Sequence, residues 1–230
     1  MATNENVSAQ NARSHLRPKL AATLILTRRT PRNRLEILLG RRSRQHVFMP
    51  HKYVFPGGKV DRGDGFAPFV EELSPRVIDT CGKILSKRRT LAVVAAAIRE
   101  TAEETGLLVA RPGRTKKVDP AWQSFYDAGV LPNASAVDIV ARAITPPGRP
   151  RRFDTWFFTA SINAVHGSKQ LISNGELEDL RWVAYDDIFS LNIPAITLIV
   201  LKELTPYHRP NNKHIPSISV QKKRLVVKML

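Results

Sequence analysis

Arg99-Glu100-Thr101-Ala102-Glu103-Glu104-Thr105-Gly106-Leu107 decides how the rest of the chain is read. The residues before it, Leu91–Ile98, are apolar, so the pattern predicts a helix beginning near Thr90. Gly106 stands where a left-handed glycine would end that helix. Three carboxylates then crowd the last turns, beside the negative end of the helix macrodipole, where cations are favoured. Glu100 and Glu104 are four apart and repel on one face, with Glu103 next to them. Each such placement costs about 0.3–1 kcal/mol when nothing compensates. A hard cation held by these oxygens reverses the sign of every one of those penalties. Local rules broken together in one place mark a site.

Upstream, Tyr53-Val54-Phe55 reads as a short strand that stops at Pro56-Gly57-Gly58. Two glycines after a strand let backbone N–H groups approach a ligand closely, as a phosphate requires, so Gly57 and Gly58 are candidate binding residues. Hard oxygen donors without His or Cys suit Mg²⁺ or Mn²⁺. Mg²⁺ keeps part of its water and takes further ligands from substrate phosphates. Glu100, Glu103 and Glu104 are the candidate metal ligands. The single Cys81 and six scattered His residues rule out an internal disulfide and a Cys-rich zinc site.

Strand, Gly-Gly loop, acid and Arg-Glu-x-x-Glu-Glu helix together resemble the Nudix hydrolases. The signature of that family is Gly, five residues, Glu, seven residues, then Arg-Glu-apolar-x-Glu-Glu-x-Gly-apolar. Gly58 and Arg99-Glu100…Glu103-Glu104-x-Gly106-Leu107 match it. The first acid is Asp64 instead of Glu, the apolar position is Thr101, and the spacer Gly65–Ile98 is 27 residues too long. An expanded box of this kind is similar to the branch that includes the peroxisomal coenzyme A diphosphatases and their bacterial relatives. Arg151-Arg152-Phe153-Asp154-Thr155-Trp156 and Glu176-Leu177-Glu178-Asp179-Leu180-Arg181-Trp182 extend the resemblance, which covers roughly Leu20 to Leu204.

The resemblance implies an α/β fold, a mixed sheet sandwiched between helices. It also implies metal-dependent hydrolysis of a diphosphate linkage in a nucleoside diphosphate derivative by attack of water on phosphorus. Glu103 and Glu104 are expected to be catalytic, and Arg99 to orient the triad as an ion-pair partner. A box glutamate or a loop acid, Glu176 or Glu178, is the expected general base, and Glu178 is carried forward as the loop candidate. Arg151 and Arg152 are positioned to clamp phosphates bidentately, with Arg152 the candidate binding residue. Leu38-Leu39-Gly40-Arg41-Arg42-Ser43 matches half of the branch's coenzyme A signature; its later Arg and Gly fall on Val47 and His51. Coenzyme A or an acyl derivative is therefore one expected substrate, and other nucleoside diphosphate derivatives stay open. An RNA-processing hydrolase and a non-catalytic ligand sensor of the same fold are the alternatives.

The net charge of +16 is unevenly spread. Residues 1–60 hold 12 Lys and Arg against 2 acids, and residues 202–230 hold 7 against 1. The segment between them is neutral, with 17 of each. Such flanks steer any phosphate-rich ligand. No aromatic-interleaved basic array or recognition helix accompanies them, so a small-molecule diphosphate is the expected partner and specific nucleic-acid binding is not. The longest apolar runs fall well short of the ~20 residues that span a bilayer, so no membrane partner is expected.

Residues 1–17 are expected to be a disordered basic arm and lack the apolar core of a signal peptide, which points to the cytoplasm. Residues 18–206 form the expected hydrolase domain, and 207–230 a basic tail. The insertion, about residues 65–89, is expected to fold as helical pieces, Phe66–Leu73 and Arg76–Leu85, making a flap beside the site. Trp122, Phe125 and Tyr126 recur at helical packing intervals and are expected in the core.

Overall fold

Leu20–Leu26 and Ile37–Leu39 are apolar at nearly every position, as strands are when both faces are covered. The computed structural model describes residues 16–44, 49–116, 119–207, 214–221 and 224–230. Its elements in chain order begin with the strands β1 (Lys19–Arg29), β2 (Leu35–Arg42), β3 (Tyr53–Val54) and β4 (Gly57–Lys59). The helices α1 (Pro75–Gly82) and α2 (Lys87–Thr105) follow, then β5 (Leu108–Pro112), α3 (Gln123–Asp127), β6 (Val130–Pro132) and β7 (Asp138–Ile144). The last are β8 (Phe153–Ser161), β9 (Val165–His166), β10 (Leu177–Ala184), α4 (Ala195–Tyr207), β11 (Pro216–Gln221) and β12 (Arg224–Met229).

The main sheet runs β10-β2-β1-β8-β7-β11-β12, with β3 on β2 and β4 on β1. β1 lies parallel to β8 over nine pairs, from Lys19 opposite Phe153 to Thr27 opposite Ser161. β2 and β4 both pair antiparallel with β1, but at opposite ends of it. A smaller sheet orders β6-β5-β9.

Alternate residues of the central strands feed two cores. Ala22, Leu24, Leu26, Trp156 and Phe158 pack with Val77 and Cys81 of α1 and with Val94, Ala97 and Ile98 of α2. Ile25, Ile37, Leu39 and Phe157 pack with Val200, Leu201 and Leu204 of α4. The result is helix, mixed sheet, helix, the expected fold class. Among the described residues no helix is long and apolar enough to cross a membrane.

α2 begins three residues before Thr90 because Ser86 caps it, its Oγ accepting the Arg89 N–H at 3.4 Å. It ends as expected at Gly106, whose φ of 73° is the left-handed conformation. Four alanines, at 92, 95, 96 and 97, let this helix lie buried on nearly every side. Trp122 and Phe125 are buried and pack edge to face at 5.2 Å.

Two expectations are corrected. Phe66–Leu73 is not a helix: after one 3-10 turn at Asp64–Phe66 the chain runs extended. Its Val70 N–H donates to the Pro132 carbonyl at 3.1 Å, and Glu71 bridges to Asn133. Pro68 explains it, since proline lacks the N–H and drives Ala67 out of the helical region. The segment read as a basic tail forms, over its described residues, a hairpin built into the sheet. β11 runs parallel to β7, and β12 is the outer strand. Lysine content had masked the alternation Pro216, Ile218, Val220 and Leu225, Val227, Met229. Of the basic arm, residues 1–15 lie outside the described residues, as does Val47.

Candidate active site

Everything at the site is organised around Arg99, which is 4% exposed. Its Nε donates to Asp64 Oδ1 at 2.9 Å and its Nη2 to Asp64 Oδ2 at 3.2 Å, a forked pair with a carboxylate that is itself buried. Nη2 also donates to the Lys59 carbonyl at 3.1 Å, and Nη1 to Glu103 at 3.1 Å. Glu100 Oε1 lies 3.1 Å from Nη1. Burial alone would lower the guanidinium pKa, but Asp64, Glu100 and Glu103 outweigh it and hold the charge firmly. Asp64 therefore occupies the position of the missing glutamate even though 35 residues separate it from Arg99. The shorter acid reaches because the Asp64–Phe66 turn packs on α2, and Asp64 also accepts the Asp61 N–H at 2.7 Å.

The two glycines do something other than the sequence suggests. Gly57, at φ 153°, lies so close to β1 that a Cβ would stand 2.4 Å from the Ala22 carbonyl. Its N–H donates to Glu104 Oε2 at 2.8 Å. A Cβ on Gly58 would fall 2.3 Å from the Glu100 carboxyl carbon. Gly57 needs to be glycine because β1 lies against it, and Gly58 because the Glu100 carboxylate does. The Gly57 amide is already occupied by a carboxylate, so its role as a phosphate-cradling donor is corrected.

Glu104 is buried, and burial pushes its carboxyl up to about 8; the Gly57 N–H opposes this and Glu100 adds to it. Glu100 is pushed up to about 7, again chiefly by burial, with Arg99 opposing. Glu103 is about half exposed and leans on Arg99. The three glutamates, Arg99, Gly57 and Gly58 line one cavity of about 490 Å³. Lys59, Arg42 and Arg151 add positive charge to its wall, and Glu176 adds an acid. Burial lowers the Arg42 pKa, against the opposing fields of Glu104, Glu176 and Glu100.

Two candidates lie elsewhere. Glu178 pairs with Arg41 at 3.4 Å on a half-exposed edge and is not among the lining residues; Glu176 is. Glu178 stands opposite Arg41 in the pairing of β10 with β2, next to Leu177 opposite Arg42, and a bulge follows it with Asp179 at φ 50°. Arg152 is likewise turned away, its Nε donating to the Thr145 carbonyl at 3.1 Å and its Nη1 to the Leu16 carbonyl at 2.6 Å. Its neighbour Arg151 lines the cavity instead. Glu176, Arg151 and Arg152 all lie just outside the strands β10 and β8, where strand alternation does not set which way a side chain points. The flap is corrected too: no residue of 65–89 lines the cavity. α1 packs on α2 and β7, where Arg76 grips Asp138 at 2.6 Å. Arg42 is not singled out by the sequence as a site residue, although it lies in the half-matched stretch Leu38-Leu39-Gly40-Arg41-Arg42-Ser43, where the apolar run turns basic at the end of β2.

Could these residues hold a hard divalent cation? Among the described residues no three His, Cys, Asp or Glu side chains already converge as a cluster. Glu100 and Glu103 both lie 3.1 Å from Arg99 Nη1 and all three glutamates line the cavity, Glu104 and Glu100 being the less exposed. The buried Glu104 and the partly buried Glu100, both pushed toward neutrality chiefly by burial, with oxygen-only chemistry and room reserved by Gly58, do fit such an ion.

A mixed sheet between helices, with a glutamate-rich helix end pressed on a Gly-Gly strand, defines a Nudix domain, and the family model described as NUDIX domain matches residues 90–201. Over that stretch the chain is similar to the Nudix hydrolases. It is similar to a solved NUDIX hydrolase from Alicyclobacillus acidocaldarius, at 27% identity and a TM-score of 0.60, over 82% of this chain and 91% of that one. It is also similar to the acyl-coenzyme A diphosphatase NUDT19 of Xenopus laevis, at 26% identity over 64% of this chain and 52% of the relative. The chain thus spans about half the length of that curated relative. The family match starts within α2, so Gly57, Gly58 and Asp64 join the motif through the fold and not through the matched segment.

Proposed function

We propose that the protein hydrolyses a diphosphate linkage in a nucleoside diphosphate derivative, with coenzyme A or an acyl-coenzyme A as its substrate class and Mg²⁺ or Mn²⁺ as cofactor. The observation that carries this reading is the pair Glu100, partly buried, and Glu104, buried, in one cavity that Arg42, Lys59 and Arg151 also line. Carboxylates pushed toward neutrality by burial are costly to keep unless a cation is their purpose. A bound Mg²⁺ or Mn²⁺ supplies charge neutralisation at the phosphates and a more acidic water.

The chain's own residues do the rest. Arg99, locked on Asp64, holds the end of α2 and keeps Glu103 within reach of the cavity. The Gly57 N–H fixes the Glu104 carboxylate, and Arg42, Lys59 and Arg151 place and neutralise the diphosphate. Glu176 is the loop acid in reach of the cavity and, with the box glutamates, is a candidate to accept the proton of the attacking water. The similarity to the acyl-coenzyme A diphosphatase supports the substrate class.

The test is turnover of ADP-ribose, a dinucleotide, coenzyme A and an acyl-coenzyme A in ¹⁸O-water, with and without Mg²⁺ or Mn²⁺. Mass spectrometry should find one ¹⁸O on a phosphate product, only when metal is present. Full turnover in excess chelator by metal-free protein would overturn the mechanism, and a preference for ADP-ribose would overturn the substrate class.

A further inference from the structure

Beside the carboxylate cavity lies a second, larger one of about 670 Å³. The two share Thr23, Arg42, Phe153 and Thr155, so they form one continuous depression with a common wall. No acidic side chain lines the second cavity, and Lys52 and Arg149 join Arg42 as its cations. The remaining lining mixes aliphatic side chains with Phe55 and Phe157 and the hydroxyls of Thr145, Thr197 and Ser219. Ile196 and Ile199 come from α4, and Ile218, Val220 and Leu225 from the hairpin β11–β12.

The hairpin carries this surface outward. Pro216, Ile218 and Val220 of β11 stand opposite Met229, Val227 and Leu225 of β12, and strand alternation puts all six on one face. Ile218 is buried in the core under α4. Leu225, Val227 and Met229 are 57%, 51% and 58% exposed, an apolar row leading away from the groove. Scattered exposed apolar residues need no explanation, but a contiguous row that continues a cavity wall does.

We infer that the hairpin β11–β12 is the specificity element of this site, seating the unbranched apolar far end of an extended arm attached to one phosphate of the substrate. The inference rests on the diphosphatase reading above and says which part of the substrate is selected, and by which residues. Continuity with the carboxylate cavity puts one end of the groove's occupant beside the diphosphate. The shared Arg42, with Lys52 and Arg149, suits an occupant that enters from an anionic group. At the hairpin end, Ile196, Ile199, Ile218, Val220 and Leu225 set aliphatic carbon around the occupant, which suits a hydrocarbon chain better than the ring nitrogens of a nucleobase. A methylene chain loses nothing there and gains with every carbon it buries.

The experiment compares kcat/KM for ADP-ribose, coenzyme A and its octanoyl thioester in the wild-type protein and in Leu225→Glu. The wild type should favour the thioester over coenzyme A by about tenfold or more, as burial of a few methylenes in an apolar pocket allows. Leu225→Glu should collapse that ratio, chiefly through KM of the thioester. Val227→Glu, on the outer row, should do so less and serves if the first variant does not fold. Ile78→Glu, an exposed change on α1 far from the groove, is the control and should leave the ratio alone. A wild type indifferent to the acyl arm, or a ratio that survives Leu225→Glu, overturns the inference while leaving the diphosphatase reading intact. If no diphosphate is turned over, the diphosphatase reading fails instead. Calorimetric binding of the octanoyl thioester, lost in Leu225→Glu, would then still support the groove, and unchanged binding would overturn it.

Discussion

Glu104 concentrates the electrostatic cost of the site in one side chain. Its carboxyl is pushed up to about 8 from 4.5, so between those values the folded protein keeps a proton that the unfolded chain has released. The group's contribution to stability is fully present below about pH 4.5 and is lost as pH rises toward 8. Glu104→Gln keeps the shape and can still accept the Gly57 N–H. In chelator the variant should be more stable than the wild type at pH 8, by a few kcal/mol, with the gap closing near pH 5. Urea unfolding across that range measures it, and parallel curves for the two proteins would show the assignment to be wrong. The same change should lower kcat at least about a hundredfold, roughly 2.7 kcal/mol of lost transition-state stabilisation, because it removes charge from the cation site. Lower rate together with higher metal-free stability is what separates a functional carboxylate from a structural one.

Among elements, α2 was the most legible. Its apolar run, its acidic end and Gly106 all lie within one stretch, and local sequence governs each of them. What local sequence cannot fix is which of two nearby residues at the start of a strand turns inward: Glu176 and Glu178 are both candidates, as are Arg151 and Arg152, and in each pair only the first lines the cavity. Nor does it show where a detour returns. The insertion leaves after Asp64 and packs its Val77, Cys81 and Leu85 into the core with α2, away from the carboxylates. Leu85→Ala should therefore cost about 2–5 kcal/mol in unfolding free energy while leaving the ranking of substrates unchanged. A changed ranking at unchanged stability would restore the idea of a substrate-selecting flap.

Across the whole molecule the charge distribution bears on encounter more than on chemistry. The lysines and arginines in excess lie in residues 1–60 and 202–230, outside the neutral middle that carries the box glutamates. Residues from both flanks, Lys52 and Arg42 from one and the hairpin from the other, meet around the groove. A field of this kind raises association rates and is screened within about 8 Å at physiological salt. kcat/KM for a diphosphate should thus fall as salt rises from about 20 to 300 mM while kcat holds, and RNA should bind weakly with a steep salt slope. Stopped-flow association and filter binding test the two halves of this expectation. Tight, salt-resistant, sequence-selective RNA binding would favour the RNA-processing alternative.

Arg42 stands in the wall of both cavities, and it is held in the fields of Glu100, Glu104 and Glu176. One guanidinium thus answers to two occupants, and neither can reposition it without the other sensing the change. Thermodynamic reciprocity then applies: whatever factor a groove ligand imposes on cation affinity, the cation imposes on that ligand. Calorimetric titration of Mn²⁺ with and without a saturating thioester, and of the thioester with and without Mn²⁺, should return the same factor. In Arg42→Met both factors should shrink together toward one, so that ion recognition and tail recognition become independent events.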